Sequence, residues 1–339
     1  MFAAARQIDG RMISSVHPAS VERQIGRMGL SGSRVFSSIW LGGGTLINER
    51  FIGPLQLARE WNVPVATFGT GVGSSGLEQQ GFDLNGWADI LCNAVGVGVR
   101  GPLSVARLRT IGLQAEVVGD PALLFTLERP SADPSRTRRI AVNVAAPVAA
   151  SQTSARDQAQ AAEALLLEWA SPWTKAGWQI VPIAMTPEDV AACRSLMRQL
   201  DAPDVPVHQP RDVAAFQRLV SNCSLMFAVR LHAVVLASTL GVPAVLVGYR
   251  GKCQDFMQSL DRDEWVINPA DQARAVERGQ MLADQALASP TEHREAVWSA
   301  ARKLQETFAA YVQRVRFMLS NTDDMLGKRK QDPCVGANA

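Results

Sequence analysis

The sequence predicts an α/β fold: two Rossmann-like parallel-sheet domains facing across a cleft, with a long helix at the C-terminus. Three observations predict it. The 339 residues suit two domains of about 150 each. Short β-branched or aromatic runs alternate with longer helical patterns through most of the chain, the pattern of strands in a parallel sheet joined by helices. Between two such series lies "LERPSADPSRTR", rich in proline, serine and charge, which reads as a linker. The boundary therefore falls near residue 133, giving a first domain over 1–133, a second over 134–320 and a tail over 321–339.

In the first domain the expected strands are "VFSSIWL" (35–41), "VPVATF" (63–68), "GVGV" (96–99) and "AEVVG" (115–119), with helices over 51–61 and 102–111. The second series runs through "RRIAVNVA" (138–145), "WQIVPIA" (178–184), "VPVHQ" (205–209), "SLMFAV" (224–229) and "VPAVLVG" (242–248). After residue 270 the pattern turns helical and ends in an amphipathic stretch over 290–319. In parallel sheets ligands bind beyond the carboxyl ends of the strands, so the informative residues are those just after each strand.

Composition narrows the function classes. The chain is 47% hydrophobic and 19% charged, as in ordinary folded proteins. A net charge of +2 without a basic run, apart from "GKRK" near the end, argues against nucleic acid as the partner. The apolar run over 233–247 is broken by Ser238, Thr239, Gly241 and Pro243 and is too short to span a bilayer. No secretory leader is read at the start, so the expected compartment is the cytoplasm. Five scattered cysteines without a CxxC pair, and four histidines without HxxxH spacing, predict neither a disulfide framework nor a metal site.

Two GxGxxG matches, "GVGSSG" (71–76) and "GVGVRG" (96–101), lack the strand-then-helix context of a dinucleotide fingerprint, and no cofactor is expected. Glycine-rich segments after two successive strands are more informative. Gly42, Gly43, Gly44 and Thr45 in "WLGGGTLIN", with Gly69, Gly71 and Gly73 in "TFGTGVG", expose backbone N–H groups that could face an anion or a sugar. Tight turns needing positive φ are the plainer reading of the same glycines.

The most unusual stretch is "AVRLHAVVLASTLGVPAVLV" (228–247). Arg230 and His232 stand where an apolar strand gives way to an apolar helix that Gly241 closes. A helix N-terminus attracts anions, an arginine there can grip a carboxylate or phosphate, and a histidine can exchange a proton near neutral pH. Arg100, at the end of "GVGV" before Pro102, and Lys252, after the next strand in a chain with five lysines, would add positive charge. Each of those two also fits a solvated surface charge.

"WLGGGTLIN", "FGTGVG", "VRGPLSVARLRTIGLQAEVVGDPALL" and "RLHAVVLASTLGVPAVLVGYRGKCQDF" follow the order and spacing of the polysaccharide pyruvyl transferase family, which the chain resembles over roughly 35–260. The resemblance implies a GT-B-like architecture and transfer of pyruvyl from phosphoenolpyruvate to two hydroxyls of a sugar in a cell-surface or exopolysaccharide precursor, as a cyclic ketal. It further implies donor binding by Arg230, Leu231, Arg100 and Lys252, and proton donation by His232. Asp120 and Pro121 match the family's GDP segment, and Gly101 stands where the family usually has an acidic residue. The partners implied are phosphoenolpyruvate and a saccharide, with a lipid-linked form placing the protein against the inner membrane. Two other readings remain: a GT-B nucleotide-sugar glycosyltransferase, and a degenerate, non-catalytic family member. The latter follows from the absence of the family's opening strand and glycine/asparagine/aspartate loop before residue 35.

Overall fold

The computed structural model describes residues 38–60, 62–73, 83–125, 137–147, 153–248 and 251–320. The expected linker boundary at 133, the tail over 321–339 and the question of an opening block before residue 35 lie outside them. The chain divides into two compact units: one holds the described residues up to Leu124 together with those from Leu304 onward, and the other runs Phe125–Lys303. The last helix is thus shared between units, whereas the sequence assigns all of 134–320 to the second domain. As predicted, the fold is α/β with parallel sheets.

In the first unit, β1 (Ile39–Leu41) and β2 (Gly44–Ile47) lie along the same edge of β3 (Val65–Val72), and β4 (Gly96–Val99) and β5 (Glu116–Val117) follow on its other side, all parallel. Strand β2 corrects the sequence reading, in which "WLGGGTLIN" is a loop beyond the strand. Gly42 and Gly43 only interrupt the edge, and Gly44 and Thr45 rejoin it. Helices α1 (Glu49–Glu60), α2 (Asn85–Leu91) and α3 (Pro102–Arg109) contribute Leu55, Ala58, Trp87, Leu91 and Leu108 to one apolar cluster with Val65 and Val99. Proline at the first position of α3 suits a helix start, where its missing N–H has no intrahelical acceptor to lose. A second cluster joins Ala66, Phe68 and Val118 to Phe308, Tyr311, Val312 and Val315 of the last helix.

The second unit has five parallel strands in the order β10-β9-β8-β6-β7. These are β6 (Arg139–Asn143), β7 (Gln179–Pro182), β8 (Leu225–Ala228), β9 (Ala244–Val247) and β10 (Val266–Ile267). Residues of β8 and β9 are buried throughout, the near-continuous apolar pattern of strands covered on both faces. The unit's helices are α4 (Thr153–Lys175), α5 (Asp189–Gln199), α6 (Val213–Val220), α7 (Leu231–Ser238), α8 (Gly251–Ser259), α9 (Gln272–Ala288) and the part of α10 (Pro290–Ser320) up to Lys303. Trp169 of α4 packs on Phe227 with ring centroids 5.6 Å apart and donates its indole N–H to Ala275 O. Its ring fits because residue 279 is glycine: a Cβ there would stand 2.1 Å from the indole.

The expected strand over 205–209 is reduced to one parallel bridge, Ile183 to His208. Pro206 has no N–H to donate, and a strand with a proline at its second position cannot extend its ladder. Among the described residues no helix is long and apolar enough to cross a membrane.

Candidate functional site

Chain order and sheet order disagree at one place in the second unit. From β6 the chain goes to β7 on one side, then returns to β8 on the other side of β6. In open parallel sheets, ligands sit beyond the carboxyl ends of the strands that flank such a reversal, here β6 and β8. Asn143 ends β6, and Arg230 follows β8.

Asn143 is fully buried and spans three strand ends. Its Oδ1 accepts from the Arg230 backbone N–H at 2.9 Å, and its Nδ2 donates to Ile183 O at 2.9 Å. The Arg230 side chain is held by Asp189, whose Oδ2 accepts from Nε at 3.0 Å and whose Oδ1 accepts from Nη2 at 2.5 Å. That carboxylate is wholly buried, while the arginine side chain is 26% exposed. Asp189 also accepts backbone N–H groups from Ala146, at 2.9 Å, and Thr186, at 3.2 Å. Backbone and side chain of Arg230 are therefore fixed together.

Arg230 caps α7 with extended backbone (φ −83°, ψ 121°), and Leu231 and His232 are its first two helical residues. The first N–H groups of a helix have no intrahelical acceptor and carry the positive end of its dipole. Leu231 is buried, as are Ala233 to Ser238, but His232 is exposed. A buried helix that exposes one residue of its first turn, and that residue a histidine, presents it to solvent beside the arginine cap. Lys252, half-buried, is the second residue of α8, the helix after β9. Since β9 is parallel to β8 and paired with it, Lys252 follows the neighbouring strand at the same sheet edge.

The first unit uses its predicted residues differently. Arg100 is 1% exposed and is enclosed rather than offered at a strand end. Its Nε donates to Asp120 Oδ2 at 3.1 Å and its Nη2 to Gly44 O at 2.5 Å, while Nη1 lies where a Cβ on Gly71 would stand 2.8 Å away. The neighbouring glycines serve this packing. Gly43 abuts the Pro121 ring, and Gly69 has φ +65° with its absent Cβ 2.2 Å from Gly119 O. Gly73 donates to Ile47 O at 2.9 Å, and Thr45 O accepts from Asn48 Nδ2 at 2.5 Å. Gly69, Gly71 and Gly73 are buried in β3 or just after it, while Gly42, Gly43, Gly44 and Thr45 are half-buried along its edge. Positive φ is found at Gly44 and Gly69, and close packing against a neighbour at Gly43, Gly69 and Gly71.

Asn143 and Asp189 are the site residues that sequence reasoning missed. Asn143 left one signal, a lone amide in the apolar run "RIAVNVA". Asp189 left none, because its partner lies 41 residues away. Among the described residues no group of three or more histidine, cysteine, aspartate or glutamate side chains could hold a metal ion.

The polysaccharide pyruvyl transferase family profile matches residues 23–251. A comparison with curated protein sequences finds no match. Among solved structures, the chain is similar to a protein described as a UDP-N-acetylglucosamine 2-epimerase from Listeria monocytogenes. The TM-score is 0.61 at 12% identity, over 96% of this chain and 86% of that one. It is also similar to S. aureus MnaA, solved with UDP (TM-score 0.58, 9% identity, covering 95% and 83%). A third is Acinetobacter baumannii MurG (TM-score 0.53, 15% identity, covering 90% and 77%). At such identities the likeness is one of fold, and the fold is of the GT-B type.

Proposed function

The chain belongs to the polysaccharide pyruvyl transferase family, and we propose that it moves a pyruvyl group from phosphoenolpyruvate to two hydroxyls of a saccharide, forming a pyruvate ketal and releasing inorganic phosphate. The observation that carries this reading is the oriented Arg230 at the sheet's reversal point, with exposed His232 two residues on. Phosphoenolpyruvate is a small dianionic or trianionic molecule that needs fixed N–H donors and cations. Arg230, the first N–H groups of α7 at Leu231 and His232, and Lys252 supply both.

His232 acts as the general acid. Its proton passes to the methylene carbon of the enol, and positive charge develops at C2. One sugar hydroxyl adds there and its proton returns to the imidazole. The C2–O bond to phosphate then breaks, and the second hydroxyl adds at C2, its proton leaving with the phosphate. Two hydroxyl protons are lost, one to the new methyl group and one to phosphate, so the step balances without a redox partner or cofactor. A positioned acid contributes about 10²- to 10⁴-fold to such a transfer. Arg100 enters this reading as the buried anchor of β2 and not as a direct donor ligand.

The saccharide is a cell-surface or exopolysaccharide precursor, carried on a lipid or a nucleotide, and a lipid carrier would bring the protein to the inner membrane surface from the cytoplasm. Incubation with phosphoenolpyruvate and lipid-linked or nucleotide-linked sugars is expected to release phosphate, and His232→Ala is expected to abolish release with the fold intact. Undiminished turnover by that variant overturns the role of His232. Protection from thermal unfolding by a UDP-sugar and not by phosphoenolpyruvate overturns the donor and favours a glycosyl transfer. Binding of phosphoenolpyruvate without turnover on any acceptor favours a non-catalytic family member.

A further inference from the structure

We infer that Asp189 is the positioning residue of this site: it sets the direction of the Arg230 guanidinium and ties three strand ends around it, so that donor affinity depends on a carboxylate that does not itself touch the donor. The inference rests on the reading of Arg230 as the group that grips the donor anion.

Burying charge is costly. An ionised carboxylate with no exposed surface is tolerated only when it is paired and its lone pairs are filled. Asp189 meets that condition with four donors on two oxygens: Ala146 N and Arg230 Nη2 on Oδ1, Thr186 N and Arg230 Nε on Oδ2. Those donors come from different places in the sheet. Ala146 follows β6, Thr186 follows β7, and Arg230 follows β8. Asp189 itself opens α5. One side chain thereby fixes the order of three loops at the edge where the donor is proposed to bind.

The pair is also geometrically selective. Arg230 uses Nε and Nη2, adjacent corners of its planar fork, to face the carboxylate. The plane of the guanidinium is then set, and with it the direction of Nη1. The backbone N–H of Arg230 is set separately by Asn143. Lysine in place of Arg230 could match the charge but not this planar constraint.

The test uses the full-length protein and phosphoenolpyruvate. Asp189→Asn keeps the shape of the side chain but turns one acceptor into a donor. It is expected to raise the Kd and KM for phosphoenolpyruvate on the order of tenfold, the worth of a charge-assisted pair, with kcat much less affected. In an Arg230→Lys background the same substitution is expected to change the Kd little further, because there is no fork left to orient. A Kd within twofold of wild type in a folded Asp189→Asn protein overturns the inference. So does a fully additive loss in the double variant.

Should Asp189→Asn fail to fold, the wild-type protein still decides. The Nε–H resonance of Arg230, identified by its absence from Arg230→Lys, is expected to exchange slowly with solvent in the ligand-free protein. Exchange as fast as that of a surface arginine overturns the inference. Absence of phosphoenolpyruvate binding by the wild type overturns the donor reading instead, and the Arg230 resonance then judges the positioning role alone.

Discussion

The Tyr311 hydroxyl is inserted between two neighbouring strands: it accepts from the Gly98 backbone N–H at 2.9 Å and donates to Thr67 O at 2.7 Å. Its ring lies against β4 where side chains would otherwise stand. A Cβ on Gly96 or Gly98 would come within 2.9 Å of the tyrosine. The glycines of "GVGV" are thus a seat for an aromatic ring. Burial pushes the Tyr311 phenol well above its ordinary range, so it keeps its proton and can serve both backbone groups. Tyr311→Phe leaves a buried donor and acceptor unmatched and is expected to cost about 1–3 kcal/mol. Gly98→Ala forces a methyl group into the ring and is expected to cost a similar amount. Urea unfolding of both variants measures this.

A second prediction concerns the buried pair Arg100–Asp120. Removing one partner leaves a buried charge uncompensated, so Asp120→Ala is expected to destabilise by about 3–5 kcal/mol. Asp120 also accepts from Ala122 N at 3.0 Å, which adds to the loss. The double variant Arg100→Met with Asp120→Leu is expected to recover part of the stability, since no charge remains to be buried. The comparison of the two midpoints in denaturant is the measurement.

Arg294 supplies a third. It is 5% exposed and donates to three carbonyls, Cys223 O at 2.9 Å, Ser221 O at 3.2 Å and Leu240 O at 3.3 Å. Those oxygens follow α6 and α7, where helix ends leave acceptors unsatisfied. Arg294→Met keeps much of the volume and removes every donor. It is expected to lower stability by about 3 kcal/mol or more, as for a broken buried charged network, seen as a lower thermal midpoint.

His293 gives a pH dependence. Its ring packs on Trp265 with centroids 5.4 Å apart. Burial, reinforced by the Arg262 charge and opposed by Glu292, holds its pKa below the ordinary histidine value. The folded state therefore binds the proton less readily than the unfolded chain. Stability is fully present well above the unfolded pKa of about 6.5 and falls as pH drops through it toward the folded value. His293→Gln is expected to flatten the difference between urea midpoints measured at about pH 7.5 and 5.5.

What the sequence discloses, and what it hides, follows from range of interaction. The strand at 96–99 and the helix opening at Pro102 are readable because their signals are local. Arg230 and His232 are readable as a strand-to-helix junction. Strand β2 is concealed by its own glycines, which suggest a loop when no partner strand is visible. Arg100 looks like an exposed cation because nothing nearby in sequence says that Asp120 and Gly44 O will enclose it. Asp189 is invisible for the same reason. Its meaning depends on loops after three strands, and only folding brings them together.

The last helix has a consequence for how the chain is made. Thr67 and Tyr311 are 244 residues apart, yet one face of the first sheet is built on Phe308, Tyr311, Val312 and Val315. During synthesis the second unit, contiguous from Phe125 to Lys303, is translated in full before these side chains are added. The unit translated first therefore waits for its second apolar cluster, and a pairing so distant in sequence is slow to form. For as long as that wait lasts, the face carrying Ala66, Phe68 and Val118 is exposed hydrophobic surface on a nascent chain, the kind of surface that chaperones shield.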